Sequence, residues 1–322
     1  MATYIAAINQ LIVARLAQIP NLVLYGENIN NGSHIVGMTR NLKAENGTRI
    51  INVGNGEATH CGLGFGLMLN GVSSVLFAKQ LDFMLLGLEH FVNTYNFVRA
   101  HREAESLGSF TISVIVCNQG YQGPQSSFNA LGDICSLARV PGYTMTNFRE
   151  AEQIIRTQFG KPGFRFLALG QRFFQTEILD LELVDAAEDS SWFRYSTGSD
   201  VSIVCFNFSL PEGQILQTKL QERGMASSLF SVHQVFPQDW ERIRQSVAQS
   251  RKLVVLDDSK STHLLAYTLL HEVAKEIPSA QTVLLSRGKD VELGVCPDQL
   301  EIDYNSLIQQ LESGVILERE IR

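Results

Sequence analysis

The residues whose types could support chemistry lie together in one glycine-rich segment. Residues 54–71 read GNGEATHCGLGFGLMLNG and contain a carboxylate, Glu57, and an imidazole, His60. The apolar run before them predicts a buried strand, and α/β proteins usually bind ligands at the carboxyl ends of such strands. A packing explanation stays open, because glycines permit close contacts and an acid at a helix start interacts well with the helix dipole.

The glycine spacing does not match two common phosphate-binding motifs. The dinucleotide pattern G-x-G-x-x-G would need a glycine at Thr59 or at Leu67. The sequence also contains no G-x-x-x-x-G-K-[ST] loop and no G-x-S-x-G elbow. The spacing therefore argues against a nicotinamide-dependent oxidoreductase.

Short apolar runs alternate with helical stretches along the first half of the chain. Residues 4–18 have helical spacing, and NLVLYGE, RIINVG, SSVLFA, FTISVIVCN and FRFLALG are typical of buried strands. Helices are predicted at 57–70, 82–101 and 127–138, and Asn147 is a predicted cap for FREAEQIIRTQF. The alternation predicts an α/β fold with a mainly parallel sheet and helices on both faces.

A change of pattern predicts two domains. The segment around 183–199 is polar and turn-rich without sustained periodicity, as expected for a linker. The alternation resumes afterwards with VSIVCFNF, SSLFSVHQV, KLVVLDD and QTVLLS. We predict a first domain at 1–185, a linker at 186–199 and a smaller second domain at 200–322, each a three-layer α/β/α arrangement.

Composition narrows the class of protein. The 322 residues carry 26 basic and 33 acidic side chains, and the net charge of -7 leaves no basic patch for nucleic acid or anionic lipid. Residues 58–78 carry no full charge, but Asn70 and Gly71 interrupt that stretch, which argues against a membrane span. The 5 cysteines form no C-x-x-C pair, so we expect reduced thiols and a cytoplasmic location.

Two adjoining segments resemble a known family. RIINVGNGEATHCGLGFGLMLNG, with QLDFMLLGLEHFVN after it, is similar to the pyrimidine-binding domain of thiamine-diphosphate enzymes of the transketolase group. The greatest likeness is to the beta subunit of the first component of 2-oxo acid dehydrogenase complexes. The resemblance continues through NLVLYGEN, GYQGPQSS and SVHQVFPQDWERI, the last in a transketolase-type C-terminal domain. Its specificity comes from the order and spacing of these short motifs.

The resemblance implies roles for three side chains. The glutamate that matches Glu57 hydrogen-bonds a ring nitrogen of the cofactor's aminopyrimidine, favouring the imino tautomer that takes the thiazolium proton. Phe83 matches the aromatic residue that stacks on this ring, and Glu27 matches a glutamate common in the beta subunits. Without the resemblance, Phe83 reads as a core aromatic and Glu27 as a solvated loop acid.

The chain departs from the family at GYQGPQSSFN. Transketolases carry G-x-x-G-P-x-His here and the 2-oxo acid enzymes carry His-Ser-Gln, whereas Gln125 and Ser126 occupy the region of that histidine. We expect both residues to line the substrate side, but a serine hydroxyl is a poor proton shuttle near neutral pH. Three explanations stay open: the reaction differs, activity is lost, or another residue substitutes, for which His60 is the candidate. A lone histidine in a packed helix is more often structural.

Two further features concern charged ligands. Arg172 follows FLALGQ near the place where transketolases hold a sugar phosphate, so it hints at an anionic substrate although the register is shifted. The histidines indicate no metal site, since His263 and His271 lie more than two turns apart on a predicted helix. The G-D-G motif that holds Mg²⁺ and the diphosphate in this family is absent from the sequence.

The resemblance therefore implies a cofactor site completed by a partner. We expect thiamine diphosphate to be shared with an alpha-type subunit, which carries the diphosphate-binding domain and holds Mg²⁺, in an α2β2 assembly. The implied reaction forms a thiazolium-bound carbanion from a 2-oxo acid or a ketose and transfers the acyl or two-carbon unit to an acceptor. The alternative is a regulatory or scaffolding subunit that retains the fold; the missing histidine favours it, while Glu57 and Phe83 argue against it.

Overall fold

Two compact units make up the chain, Met1–Asp180 and Leu181–Arg322. Each unit contains its own six-stranded sheet. The predicted α/β class, with two mainly parallel sheets and flanking helices, is confirmed. The computed structural model describes residues 2–119, 123, 128–287 and 299–313.

The first unit is built on a parallel sheet. Its strands are β1 (Val23–Gly26), β2 (Arg49–Asn52), β3 (Ser74–Ala78), β4 (Ser109–Val116), β5 (Gly142–Met145) and β6 (Gly163–Gly170). They lie in the order β2-β1-β3-β4-β6-β5, and all five neighbouring pairs are parallel. β3, β4 and β6 are buried along their whole length, as expected for strands covered on both faces. β5 was not predicted, because its residues GYTM do not form a continuous apolar run.

Five α-helices belong to the described part of this unit. They are α1 (Tyr4–Leu16), α2 (Glu57–Leu69), α3 (Tyr95–His101), α4 (Leu131–Ala138) and α5 (Phe148–Gln158). The predicted cap of α5 is confirmed: Asn147 and Glu150 form a capping box. Glu150 Oε1 accepts a hydrogen bond from the Asn147 backbone N–H at 3.1 Å.

The single helix predicted at 82–101 is wrong. The chain forms a 3-10 helix at Asp82–Gly87 and a π-helical turn at His90–Thr94 before α3 begins. Gly87 explains the interruption, because a Cβ there would lie 2.5 Å from Cys61 Sγ on α2. Glycine permits this close approach and is a weak helix former, so the backbone leaves the regular α conformation.

An aromatic cluster fixes α2 against the sheet. Phe65 of α2 packs edge-on against Phe110 of β4 and Phe164 of β6, with ring centroids 5.1 and 5.0 Å away. All three rings are buried. Gly64 lies directly over Phe110, since a Cβ at Gly64 would be 2.3 Å from that ring. The position of the helix, and with it of Glu57 at its start, therefore depends on close contact with β4.

The second unit contains a mixed sheet of the order β12-β11-β9-β10-β8-β7. Its strands are β7 (Asp185–Ala186), β8 (Trp192–Arg194), β9 (Val201–Phe206), β10 (Ser227–Val232), β11 (Lys252–Asp257) and β12 (Gln281–Ser286). The four strands from β9 to β12 are parallel, and β7 and β8 extend the sheet in antiparallel pairs. The helices are α6 (Leu210–Glu222), α7 (Glu241–Ser250), α8 (Ala266–Glu276) and α9 (Tyr304–Ser313).

The segment for which the sequence predicts a linker contributes to this second sheet. β8 lies within 186–199, and it pairs with β10 and with β7. Trp192 and Phe193 are buried. The polar residues before them form a turn in which Asp189 Oδ1 accepts a hydrogen bond from the Ser191 backbone N–H at 2.9 Å. The polar composition thus marks a hairpin turn, whose short strands show no periodicity.

Two expectations from the composition concern membrane-spanning helices and the cysteines. Within the described ranges, no helix has both the length and the apolar character needed to cross a bilayer. The four cysteines in the described part, Cys61, Cys117, Cys135 and Cys205, are buried and form no disulfide with one another. Cys296 lies outside the described residues.

Candidate active site at the carboxyl edge of the first sheet

The strand order of the first sheet creates a crevice between β1 and β3. From β1 the chain moves outward to β2, and it then crosses back to β3 on the other side of β1. The loops after β1 and β3 consequently leave in opposite directions, which opens a ligand-binding crevice at the carboxyl ends of the strands. A pocket lies at this place, with a volume of about 310 Å³ that includes space open to solvent.

The pocket brings together four side chains that the sequence singles out. Glu27, Glu57, His60 and Phe83 all line it. Glu27 directly follows β1, Glu57 and His60 belong to the first turn of α2, and Phe83 belongs to the 3-10 helix after β3. Residues from three separate parts of the chain therefore converge on one crevice.

Glu57 enters the pocket because α2 begins at this residue. Gly56 precedes it with φ 155° and ψ 52°, a backbone conformation that favours glycine. The Glu57 side chain is half-buried. Its carboxylate has no hydrogen bond or ion pair with any residue that the structure describes. A carboxylate held in a pocket without an internal partner is available to a ligand.

His60 lies three residues further along α2, on the same face of the helix as Glu57. The Tyr25 hydroxyl donates a hydrogen bond to the His60 carbonyl oxygen at 2.9 Å, which ties this turn to β1. The His60 ring nitrogens have no partner among the described residues. Gly56 leaves the ring uncovered, since a Cβ there would be 3.8 Å from His60 Nε2. All seven histidines lie in the described ranges, and His60 alone lines this pocket.

The titratable groups behind the pocket are held in their neutral forms. Burial, reinforced by the nearby Glu57 carboxylate, raises the pKa of the Cys61 thiol to about 12. Burial also raises the pKa of the Tyr25 hydroxyl, with a smaller contribution from Cys61. Tyr25 therefore remains a hydrogen-bond donor and Cys61 an inert thiol at neutral pH, and neither is a nucleophile for this site.

Phe83 is positioned by buried neighbours. The Leu81 backbone N–H donates to the Ile115 carbonyl oxygen at 2.9 Å, and Leu81 and Met84 are buried. Phe83 remains half-buried and lines the pocket. On the opposite wall, Gly26 allows β1 to approach β3, because a Cβ there would lie 2.3 Å from the Phe77 carbonyl oxygen.

The remaining predicted residues lie elsewhere. Arg172 is not among the residues lining the pocket; it follows β6, and its guanidinium stacks over the Phe173 ring at 4.8 Å. Its backbone N–H donates to Asn118 Oδ1 at 3.0 Å. Gln125 and Ser126 fall outside the described residues.

One lining residue was missed by the sequence analysis. Lys79 directly follows β3 and lines the pocket together with Glu57. The signal that could have revealed it is the one that indicated Glu57, a charged residue at the carboxyl end of a parallel strand. A lysine outside any motif is usually expected to be a solvated surface residue, so the sequence did not indicate a functional role for it.

The fold is that of transketolase-type proteins. A split-gene transketolase, solved as an inactive beta4 tetramer, superposes with a TM-score of 0.66 at 14% identity, over 95% of this chain and 92% of that chain. The predicted fold is thus confirmed. No family model matches the chain.

Two relatives identify the kind of subunit that the chain resembles. It is 21% identical over 287 residues to the mitochondrial pyruvate dehydrogenase E1 component subunit beta-1 of Arabidopsis thaliana, covering 84% of this chain and 76% of the relative. It is 19% identical over 320 residues to the acetoin:2,6-dichlorophenolindophenol oxidoreductase subunit beta of Cupriavidus necator, covering 95% and 91%. The resemblance to the beta subunits of 2-oxo acid dehydrogenases is confirmed.

Proposed function

We propose that the chain is the beta-type subunit of a two-polypeptide thiamine-diphosphate-dependent enzyme. The observation that carries the proposal is the convergence of Glu57 and Phe83 in one pocket at the crevice between β1 and β3. Both positions match the family pattern in sequence, and both line the same cavity. The donor is a 2-oxo acid or a ketose, and the acyl or two-carbon unit passes to an acceptor.

The pocket residues fit the aminopyrimidine ring of the cofactor. Glu57 has no hydrogen bond or ion pair with a described residue, so its carboxylate is available to a ring nitrogen. Phe83 offers an aromatic surface on which a planar ring can stack. When bound, the cofactor supplies a carbon nucleophile that adds reversibly to the donor's carbonyl group.

Each pocket acid has a separate task in this proposal. Glu57 hydrogen-bonds the ring nitrogen and holds the proton there, which sets the ring's tautomer. Glu27 follows β1 on the other wall and contributes a second acceptor for the polar groups of the ring. Neither task requires a group that titrates at neutral pH.

We assign the missing acid–base role to His60. Imidazole is the side chain that ordinarily titrates near neutral pH, and His60 alone of the seven histidines lines the pocket. It donates a proton to the donor's carbonyl oxygen as that oxygen becomes a hydroxyl, and it recovers the proton when the carbonyl re-forms. Gln125 and Ser126 orient the donor, and Arg172 lies further along the same edge of the sheet.

The diphosphate half of the site belongs to an alpha-type partner. The chain has no G-D-G motif. Both relatives are named as beta subunits, and the transketolase solved as beta chains alone is described as inactive. We therefore propose that the partner holds Mg²⁺ and the diphosphate, in a complex of two alpha-type and two beta-type chains.

The test compares Glu57→Gln with the unmodified chain, each co-purified with the alpha-type partner. Exchange of the thiazolium C2 proton for deuterium, followed by NMR after rapid quenching, reports activation of the cofactor without requiring a known donor. We expect the exchange rate to fall at least about a hundredfold in Glu57→Gln, as for loss of a general acid–base group, while the circular dichroism spectrum is unchanged. An unaltered exchange rate would sink the assignment of Glu57.

A scaffolding subunit is the second candidate, and the absence of a histidine from GYQGPQSSFN favours it. The same exchange experiment separates the two functions. A correctly assembled complex that binds thiamine diphosphate without accelerating the exchange would support the scaffold.

A further inference from the structure

We propose that Lys79 determines which donors the site accepts, by pairing with a carboxylate attached to the reacting carbonyl carbon. This proposal rests on the proposed function of the pocket and deepens it, because the family resemblance leaves the donor open.

Lys79 is well placed for such a contact. It directly follows β3, so it lies at the carboxyl edge of the sheet beside the crevice. It lines the same pocket as Glu57, His60 and Phe83, and it is the one cationic side chain among the described lining residues apart from the ionisable His60. An anionic group bound at this pocket therefore has Lys79 as a positive partner among the lining residues.

The Lys79 ammonium is not committed to another residue. It has no hydrogen bond or ion pair with any residue in the described ranges, although Glu27 and Glu57 line the same cavity. Lys79 is exposed, and exposed lysines often have no partner, but this one shares a pocket with two carboxylates. An anionic donor bound beside the ring experiences the negative charge of this pocket, and an uncommitted ammonium offsets that repulsion.

The position of Lys79 favours donors whose negative group lies next to the reacting carbonyl over donors whose negative group is remote from it. Lys79 and Phe83 belong to the same connection after β3 and line one cavity. Arg172 follows β6, and β4 lies between β3 and β6. Two strand spacings of about 4.8 Å each separate the two strand ends. The carboxylate of a 2-oxo acid thus meets Lys79, whereas the remote phosphate of a ketose phosphate reaches toward Arg172.

The binding test uses two inert probes of nearly equal shape, oxamate, which is an anion, and oxamide, which is neutral. Each is titrated calorimetrically into the chain complexed with its alpha-type partner and loaded with thiamine diphosphate and Mg²⁺. Lys79→Met removes the charge and retains most of the length of the side chain, and Lys79→Arg retains the charge. We expect oxamate affinity to fall at least about tenfold in Lys79→Met and to stay within about threefold in Lys79→Arg.

The outcomes that overturn the proposal are distinct from those that overturn the proposed function. Oxamate binding that is absent from the unmodified complex, or equal in Lys79→Met, refutes the role of Lys79. A parallel loss of oxamide affinity also refutes it, because the effect is then one of shape. The matched control is Lys43→Met, which removes an exposed lysine outside the pocket and should change neither titration. If thiamine diphosphate itself fails to bind the unmodified complex, the proposed function fails instead.

Turnover provides an independent readout. With 2,6-dichlorophenolindophenol as oxidant, Lys79→Met should raise KM for pyruvate at least about tenfold and leave KM for acetoin, its neutral counterpart, within about threefold. A transketolase assay with a ketose phosphate distinguishes the two sources of negative charge. A Lys79→Met effect on the ketose phosphate as large as that on pyruvate would contradict the selective pairing with a carboxylate.

Discussion

At the scale of single residues, the polar groups of the pocket differ from the buried carboxylate of Glu150 in what they contact. Glu150 is buried, and its Oε1 accepts from the Thr146 hydroxyl at 2.6 Å and from the Asn147 backbone N–H at 3.1 Å. Glu57 and His60 have no such partners among the described residues. A carboxylate that already accepts several hydrogen bonds stabilises a turn, whereas a half-buried group without a partner can contact a ligand.

The role of His60 is tested by His60→Gln, which keeps hydrogen-bonding capacity and removes the imidazole ring. We expect kcat to fall by about 10² to 10⁴, as for loss of a general acid–base group, and the affinity for thiamine diphosphate to stay within about threefold. His90→Gln is the matched control, since His90 packs beside Gly62 of α2 but does not line the pocket. Equal effects of the two substitutions would contradict the assignment.

The environment of Cys61 predicts a pH dependence of stability. Its pKa rises from 9.0 to about 12 on folding, so the folded state prefers the protonated thiol. This contribution is fully present below pH 9, and it is lost as the pH rises toward 12. The free energy of unfolding, measured by denaturant titration, should be lower at about pH 11 than at about pH 8. In Cys61→Ala this decrease should be smaller, by at most about 1.4 kcal/mol per pH unit. An identical pH slope in both proteins would contradict the shift.

At the level of residues, the sequence singled out a side chain only where an ordered motif contained it, and the roles assigned to these side chains stay predictions. Glu27, Glu57 and Phe83 were singled out through their match to ordered motifs, and the structure places them in one pocket. Lys79 carried no motif, and its contact with the pocket depends on the strand order, which the sequence does not state.

At the scale of elements, the active-site geometry depends on the contact between α2 and β4. Gly64→Ala should displace α2, because the new Cβ would lie 2.3 Å from the Phe110 ring. We expect a loss of about 1 to 3 kcal/mol in the free energy of unfolding, as for other overpacked cores, together with weaker cofactor binding. The measurements are denaturant titration and calorimetry.

Gly66→Ala in the same helix is the matched control. A Cβ at Gly66 would have no atom within 4 Å, so the substitution should be neutral or stabilising by up to about 1 kcal/mol through helix propensity. If both alanine variants lose the same stability, the packing account of α2 is incorrect.

Strands and helices with a clear period were predicted well, and the errors have a common cause. β5 lacks a continuous apolar run, and the helix predicted at 82–101 is interrupted at Gly87 by a contact with Cys61, which is distant in sequence. β8 is a three-residue strand in a polar hairpin. In each case tertiary contacts outweighed a local pattern that was short or ambiguous.

At the scale of the whole molecule, the two α/β units and their mainly parallel sheets were predicted from the alternation of strands and helices. The sequence does not indicate residues for the other half of the proposed cofactor site. The pocket carries groups suited to a ring, and we propose that a second polypeptide holds the diphosphate, because the sequence has no G-D-G motif. The proposed activity therefore requires a complex of both polypeptides.

The central claim is tested most directly by calorimetric titration of thiamine diphosphate with Mg²⁺ into three samples: the chain alone, the chain co-purified with its alpha-type partner, and that complex carrying Glu57→Gln. We predict tight binding by the unmodified complex, none by the chain alone, and binding weakened at least about tenfold by Glu57→Gln. Binding that is equally tight in all three samples would contradict a site shared between two chains and centred on Glu57.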